Sequence, residues 1–262
     1  MNSTIILHLY SDPKFLEFIS LTFDINGVSN TYINLLLNKD VTIKFEEYSI
    51  IIVHYLNAKS IDFLCQHKIN KPVIWFFWGA DGFSFGKFNN CFLGFKTNKL
   101  RLYLAYKKSI IWGLKQTIKI IFPKIKDLSK ESQRKFKIIK KFSLVVPIMP
   151  EDYELLKQKY HFKVPSFHLN YINPIFYSNK LSQVNGSNIL LGNSASFSNN
   201  HIEAIDWLKL KAPKDRRIII PLSYGNKELA SYIKRYAIEK LGCENIKIID
   251  DFLSFDEYNK IL

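Results

Sequence analysis

The 262-residue chain has only three cysteines, Cys65, Cys91 and Cys243, and no Cys-x-x-Cys pair. That excludes a disulfide scaffold and fits reduced thiols in a cytoplasmic protein. No apolar run approaches the ~18 residues of a spanning helix, so any meeting with a membrane is from the side. Met1–Tyr10 lacks a basic start followed by a long apolar stretch, and reads as a strand over Thr4–Leu9 rather than a signal peptide. There is no Walker motif, no Gly-x-Ser-x-Gly elbow and no His/Cys cluster with zinc spacing. An Asp-x-Asp pair of the kind that holds a metal beside a nucleotide sugar is also missing.

Acidic residues are scarce. Lys and Arg number 37 against 23 Asp and Glu, a net charge of +14. The imbalance is local: Lys96–Lys141 holds 15 basic residues and two acids, Asp127 and Glu131, a charge of +13 that leaves +1 for the remainder. A negatively charged partner is implied: anionic lipid, nucleic acid or a phosphate-rich substrate. Leu104–Phe122 has helical periodicity. Ile111, Leu114, Ile118, Ile121 and Phe122 share one arc, Lys108, Lys115 and Lys119 form a stripe beside it, and Trp112 lies beyond the stripe. Such a helix suits a membrane surface. The plainer reading is a solvated helical hairpin packed on its domain. Nucleic acid would want aromatics interleaved with arginine on a recognisable module, and here lysine dominates.

The chain otherwise alternates short apolar strands with helices, the pattern of a parallel sheet covered on both faces. Strands are expected at Thr4–Leu9, Ile50–Val53, Val73–Phe77 and Leu144–Pro147, with helices at Ser11–Leu21, Ala58–His67 and Glu151–Tyr160. Residues 1–169 read as one α/β domain carrying the basic insert at about 96–141, and 170–187 as a polar linker. A second α/β rhythm fills 188–262: strands at Asn188–Leu191, Arg217–Pro221 and Asn245–Ile249, helices at Asn200–Lys209 and Lys227–Lys240, and a last helix from Phe255. This second domain reads as the first part of a larger one.

The sharpest motif is Gly192-Asn-Ser-Ala-Ser-Phe-Ser-Asn-Asn-His201, a small polar loop between a strand and a helix. Loop amides and a helix N-terminus at the carboxyl end of a parallel strand form an anion site. Gly192 permits close backbone approach, and Asn193, Ser194, Ser196 and Ser198 offer uncharged donors to a diphosphate. An ordinary βα loop, its helix capped by Asn200 with Glu203 three residues on, is the alternative. The loop at Pro221–Asn226, with Tyr224, and the one at Asp250–Leu253, with Phe252, would share the same rim. In the first domain His8, Asp12, His54 and Asp81 stand at or near strand ends. Any of them could be a base toward a hydroxyl, with Asp81 and His8 leading, or simply structural.

Gly192-Asn-Ser194 with Ser198-Asn-x-His201-Ile-x-Ala204 resembles the signature of glycosyltransferase family 56. Those enzymes are the Fuc4NAc (4-acetamido-4,6-dideoxy-D-galactose) transferases of enterobacterial common antigen synthesis, also described as 4-alpha-L-fucosyltransferases. Pro221-x-x-Tyr224-Gly225, Leu253-x-Phe255-Asp256-x-Tyr258-x-x-Leu262 and Trp78-Gly-Ala-Asp81 are similar to the family in order and spacing. The resemblance implies a GT-B fold of two Rossmann-type domains and a metal-independent, inverting transfer. It also implies a dTDP-sugar donor and a polyprenyl-diphosphate-linked acceptor (lipid II) at the cytoplasmic side of the inner membrane. Gly192, Asn193, Ser194 and Ser198 would then lie near the donor diphosphate, and Tyr224 near the donor. The chain departs from the family in stopping before its further β/α units and in a more lysine-rich insert. A non-catalytic remnant that binds anionic membranes, or less readily nucleic acid, is the competing reading.

Overall fold

Runs of β-branched and aromatic residues make the strands, and capped amphipathic segments make the helices between them. In the computed structural model, residues 4–12, 14–37, 42–83, 92–122, 130–169, 188–213, 215–253 and 257 are described. In chain order the elements are β1 (Thr4–Tyr10), α1 (Lys14–Thr22), β2 (Val28–Asn34), β3 (Ile50–His54), α2 (Ala58–Gln66), β4 (Val73–Phe77) and α3 (Ala80–Phe83). Then come α4 (Phe95–Lys108), α5 (Ile110–Ile121), α6 (Lys130–Ile139), β5 (Leu144–Pro147) and α7 (Pro150–Tyr160). Last are β6 (Ile189–Leu190), α8 (His201–Lys211), β7 (Ile218–Pro221), α9 (Lys227–Leu241) and β8 (Ile246–Ile249). Two compact units result: Met1–Asn89 with Pro123–Leu181, and Asn90–Phe122 with Ser182–Leu262.

The first unit is a parallel sheet in the order β2-β1-β3-β4-β5. Alternation along the strands sends two sets of side chains to opposite faces. Leu7, Leu9, Ile51, Val53, Trp75, Phe77 and Val145 pack with Ile61, Leu64, Ile139, Tyr153 and Leu156. Ile6, Tyr10, Ile52, Phe76 and Val146 pack with Ile19 and Phe23. After β1 the chain steps out to β2 and then returns to β3 on the other side of β1. The crevice of such a sheet therefore opens at the carboxyl ends of β1 and β3.

The second unit has the parallel order β6-β7-β8. Its core joins Ile218, Ile220 and Ile246 to Ile202, Ile205 and Leu208 of α8, Leu229 and Ile233 of α9, and Leu100 and Leu104 of α4. That last pair corrects the expected organisation. The basic insert does not stay in the first domain as one piece: α4 and α5 pack in the second unit, and α6 in the first. The cause is visible in side chains. Glu203 accepts hydrogen bonds from the Thr97 amide (2.9 Å) and hydroxyl (2.5 Å). Asp206 pairs with Lys96. The Asn200 side chain accepts from the Gly94 amide at 2.7 Å and donates to the Phe92 carbonyl at 2.8 Å. No side chain of α4's own N-cap, Gly94, can cap it, and the Glu203 carboxylate supplies the negative charge that a helix N-terminus favours.

The expected single helix over 104–122 is also divided. Ser109 is extended and ends α4. Gly113 then lies against the Tyr106 ring, where a Cβ would come within 2.3 Å of a ring carbon, so α5 folds back on α4. The proposed linker, 170–187, and the helix from Phe255, apart from Glu257, lie outside the described residues.

Candidate active site

In the second unit, β6 opens into the loop that begins at Gly192. Gly192 has φ +71°, and a Cβ there would stand 2.7 Å from His201 Nε2, so glycine is required twice over. The loop is tied internally. Asn199 Nδ2 donates to the Ser194 carbonyl at 2.8 Å and to Asn193 Oδ1 at 3.1 Å, and Ser194 Oγ donates to Asn193 Oδ1 at 3.0 Å. The Ser196 and Ser198 hydroxyls meet at 2.7 Å. It is also clasped to the loop after β7: the Ala195 amide donates to the Tyr224 carbonyl, and the Asn226 amide to the Ala195 carbonyl. Gly225, at φ +110°, permits this, because a Cβ would meet the Ala195 carbonyl oxygen at 2.5 Å.

The expected capping box at Asn200 and Glu203 is absent. Asn200 takes φ +48° and no side chain caps α8, because both residues are spent on holding α4. α8 thus lacks the N-cap acceptor that α9 has in Asn226, which accepts from the Leu229 amide at 2.9 Å; within its first turn the Glu203 carboxylate accepts from its own amide. A helix N-terminus without an N-cap side chain, behind a polar loop, has geometry suited to an anion. Burial would raise the Glu203 carboxyl, but the hydrogen bonds from Thr97 bring it below the usual range. It stays ionised on α4.

Tyr224 is half-exposed and lines a cavity of about 500 Å³ with Asn226, Lys227, Ser231 and Asp250. Phe252 is largely exposed beyond β8. Gly192, Asn193, Ser194 and Ser198 are together in one loop, Tyr224 is on the loop clasped to it, and Phe252 follows β8.

In the first unit the expected bases separate by burial. Asp81 is 1% exposed. Its Oδ2 accepts from the Leu56 amide (2.9 Å) and Trp75 Nε1 (2.8 Å), and Oδ1 from the Trp78 amide (3.0 Å). The Lys135 ammonium donates to its backbone carbonyl at 2.5 Å. Burial raises the carboxyl against the pull of those donors and of Lys135. This is a buried tie between β3, β4 and α6. His8 is fully buried too. Its Nε2 meets Asn30 Oδ1 at 3.0 Å, and its Nδ1 meets His54 Nε2 at 3.0 Å. Asn30 Nδ2 donates to the Phe23 carbonyl, which fixes Asn30 Oδ1 as the acceptor. His8 therefore carries its proton on Nε2 and accepts from His54 on Nδ1. Burial lowers His8 to about 4, opposed in part by Asn30, and lowers His54 well below the usual value, with His8 adding to it. Both are neutral core groups in an aromatic setting of Phe23, Tyr32 and Phe76.

Asp12 is different. It is only half-buried and follows β1, at the crevice. Asn57 Nδ2 donates to Ser11 Oγ, which joins the loops after β1 and β3. Tyr55 holds φ +66°, a conformation a bulky residue adopts only under constraint. Its hydroxyl is raised by burial and by the charges of Asp81 and Asp12. Sequence reading missed Ser11, Tyr55 and Asn57; only the polar step after each apolar strand could have pointed to them.

The expected membrane-contact residues fall on two helices. Lys108 ends α4, while Trp112, Lys115 and Lys119 are on α5. Lys119 Nζ lies 5.8 Å from the Trp112 ring centre. Ile110, Ile111, Leu114, Ile118 and Ile121 are all exposed. A groove of about 680 Å³ between α4 and α9 carries Lys96, Lys99, Lys107 and Arg235 with Tyr103, Tyr232 and Tyr236. Among the described residues no helix is long and apolar enough to cross a membrane, and no group of three His, Cys, Asp or Glu is placed to hold a metal.

Two parallel α/β units with a polar loop at a strand end make the fold GT-B-like. The solved UDP-N-acetylglucosamine 2-epimerase from Rickettsia bellii is similar over 99% of this chain and 72% of its own, with TM-score 0.51 and 11% identity. At that identity the likeness shows the fold alone. Residues 171–262 match the family described as 4-alpha-L-fucosyltransferase, glycosyl transferase group 56. The Gly192 loop lies within that matched stretch, about a third of the chain, and the match supports a glycosyltransferase.

Proposed function

We propose that the protein transfers a fucose-like amino-deoxy sugar, of the Fuc4NAc type, from a dTDP-sugar to a polyprenyl-diphosphate-linked oligosaccharide, with inversion. The observation that carries this reading is the uncapped N-terminus of α8 behind the Gly192–Ser198 loop. The donor diphosphate lies there, with Gly192, Asn193, Ser194 and Ser198 around it. The nucleoside extends toward Tyr224 and Phe252. A carboxylate on the first unit takes the proton of the acceptor hydroxyl as its oxygen attacks the anomeric carbon. Asp12, half-buried at the crevice, suits that role better than the enclosed Asp81 and His8. Loop amides and the α8 dipole stabilise the departing diphosphate without a metal.

The acceptor is met at the cytoplasmic side of the inner membrane, where the protein is peripheral. The α4–α5 hairpin supports this, with seven basic and no acidic residues over 95–121 and an exposed apolar face. The test is mass-spectrometric detection of sugar transfer from dTDP-Fuc4NAc to a polyprenyl-diphosphate disaccharide in anionic vesicles. Product of inverted anomeric configuration is expected. Vesicle binding with no transfer and no sugar-nucleotide binding would favour the non-catalytic membrane module.

A further inference from the structure

His201 is the first residue of α8 and is 2% exposed. Its Nε2 lies against Gly192, where a Cβ would be 2.7 Å away. Among the described residues neither ring nitrogen has a hydrogen-bond partner of good geometry. The Ser196 carbonyl is nonetheless near enough to favour the charged ring, while burial lowers the imidazole to about 4. A buried polar group without well-aligned partners is unfavourable, and this one stands at the floor of the proposed diphosphate cradle.

Charged groups on the elements around it are engaged elsewhere. Glu203 of α8 is held by Thr97, Asp206 of α8 by Lys96 of α4 and by Tyr236 of α9, and Lys234 of α9 by Asp250. Glu228 and Arg235 of α9 line the groove facing α4. No charged side chain contributes to the His201 shift. The group is therefore poised to respond to a charge brought by a ligand.

We propose that His201 takes up a proton when a sugar nucleotide binds, so that a buried imidazolium beneath Gly192 faces the diphosphate and holds it as the leaving group departs. The inference rests on the donor reading above. His201 is a positioning residue that acts through the Gly192 loop. The proton comes from solvent on binding and returns when the nucleoside diphosphate leaves, so the cycle balances. An opposite charge within about 4–6 Å favours the charged form by one to three pKa units. A roughly hundredfold gain in proton affinity then makes binding about fourfold tighter at pH 5.5 than at pH 7.5.

The experiment is calorimetric titration of the intact chain with dTDP-glucose, whose diphosphate diester has no group titrating in this range. It is run at both pH values and in two buffers of different ionisation heat. The same titration is made on His201→Gln. The expected result is about fourfold tightening and net proton uptake at pH 5.5 in the wild type, and neither in the variant. Binding that is independent of pH, or a variant with the same uptake, overturns the role of His201 and leaves the donor site standing. No binding by the wild type at either pH overturns both. Should the variant fail to fold, imidazole nitrogen NMR shifts of the wild type, with and without dTDP-glucose at pH 5.5, decide. An unchanged neutral ring overturns the proposal.

Discussion

Replacing Asp81 distinguishes a structural tie from a catalytic base. Its carboxylate accepts three N–H donors from Leu56, Trp75 and Trp78, all at 2.8–3.0 Å. In Asp81→Asn the amide oxygen can keep the two donors at Oδ2, but its NH2 then faces the Trp78 amide. One buried bond is lost and two donors oppose each other, a cost of about 1–3 kcal/mol. The lost charge adds little, because burial already raises the carboxyl. In Asp81→Ala all three donors lose their acceptor, and about 3–5 kcal/mol is expected. Denaturant unfolding of both variants measures this, with transfer assayed per folded molecule. The expected outcome is graded destabilisation, Ala beyond Asn, with activity of the folded fraction within a few-fold of wild type. A fully stable Asp81→Asn with activity down by 10²–10⁴, the range for a lost general base, would refute the reasoning.

Asp12→Asn should lower kcat by about 10²–10⁴ with dTDP-sugar affinity unchanged; an unaffected kcat would remove Asp12 from the chemistry. Acid should unfold the first unit early. The unfolded His8 binds protons from about 6.5 and the folded one only near 4, so its stabilising effect is complete above 6.5 and declines as pH falls toward 4. That amounts to about 2 kcal/mol between pH 7.5 and 5, seen as a shallower pH slope of unfolding free energy in His8→Gln; equal slopes would contradict it. Glu203→Ala should cost about 2 kcal/mol and raise amide exchange across Phe95–Lys108, since that carboxylate secures α4. Unchanged exchange there would show α4 is held by its apolar face alone.

The strands that sequence reading found are those buried on both faces: Ile50–Val53 and Val73–Phe77 are apolar throughout, and their bounds emerge within a residue. β2 was missed because Val-Ser-Asn-Thr-Tyr-Ile-Asn is an edge strand, mostly half-buried, and alternation with polar residues hides it among loops. The Gly192 loop was legible as a strand-to-helix turn because a glycine and small polar residues follow a short apolar strand. The destination of Asn200 and Glu203 was not. Their spacing suits a local cap, and only the approach of α4, more than a hundred residues earlier in sequence, diverts them. Long-range pairing likewise decided which unit took the basic helices. For Asp81 and His8, position at a strand end signalled function, whereas enclosure by N–H donors and aromatic rings is a three-dimensional fact.

The central claim is that a sugar nucleotide is held on the Gly192 loop at the N-terminus of α8. The most direct measurement is the affinity of the wild type and of Gly192→Ala for a dTDP-sugar at pH 7.5, with circular dichroism to verify folding. Alanine at φ +71° is strained by about 1–2 kcal/mol, and its Cβ would press on His201 Nε2 at 2.7 Å, so the loop must shift. The account predicts clear binding by the wild type and at least about tenfold weaker binding by the folded variant, a difference of about 1.4 kcal/mol or more. Wild type that ignores dTDP-sugars, or a folded Gly192→Ala that binds them equally well, would contradict it.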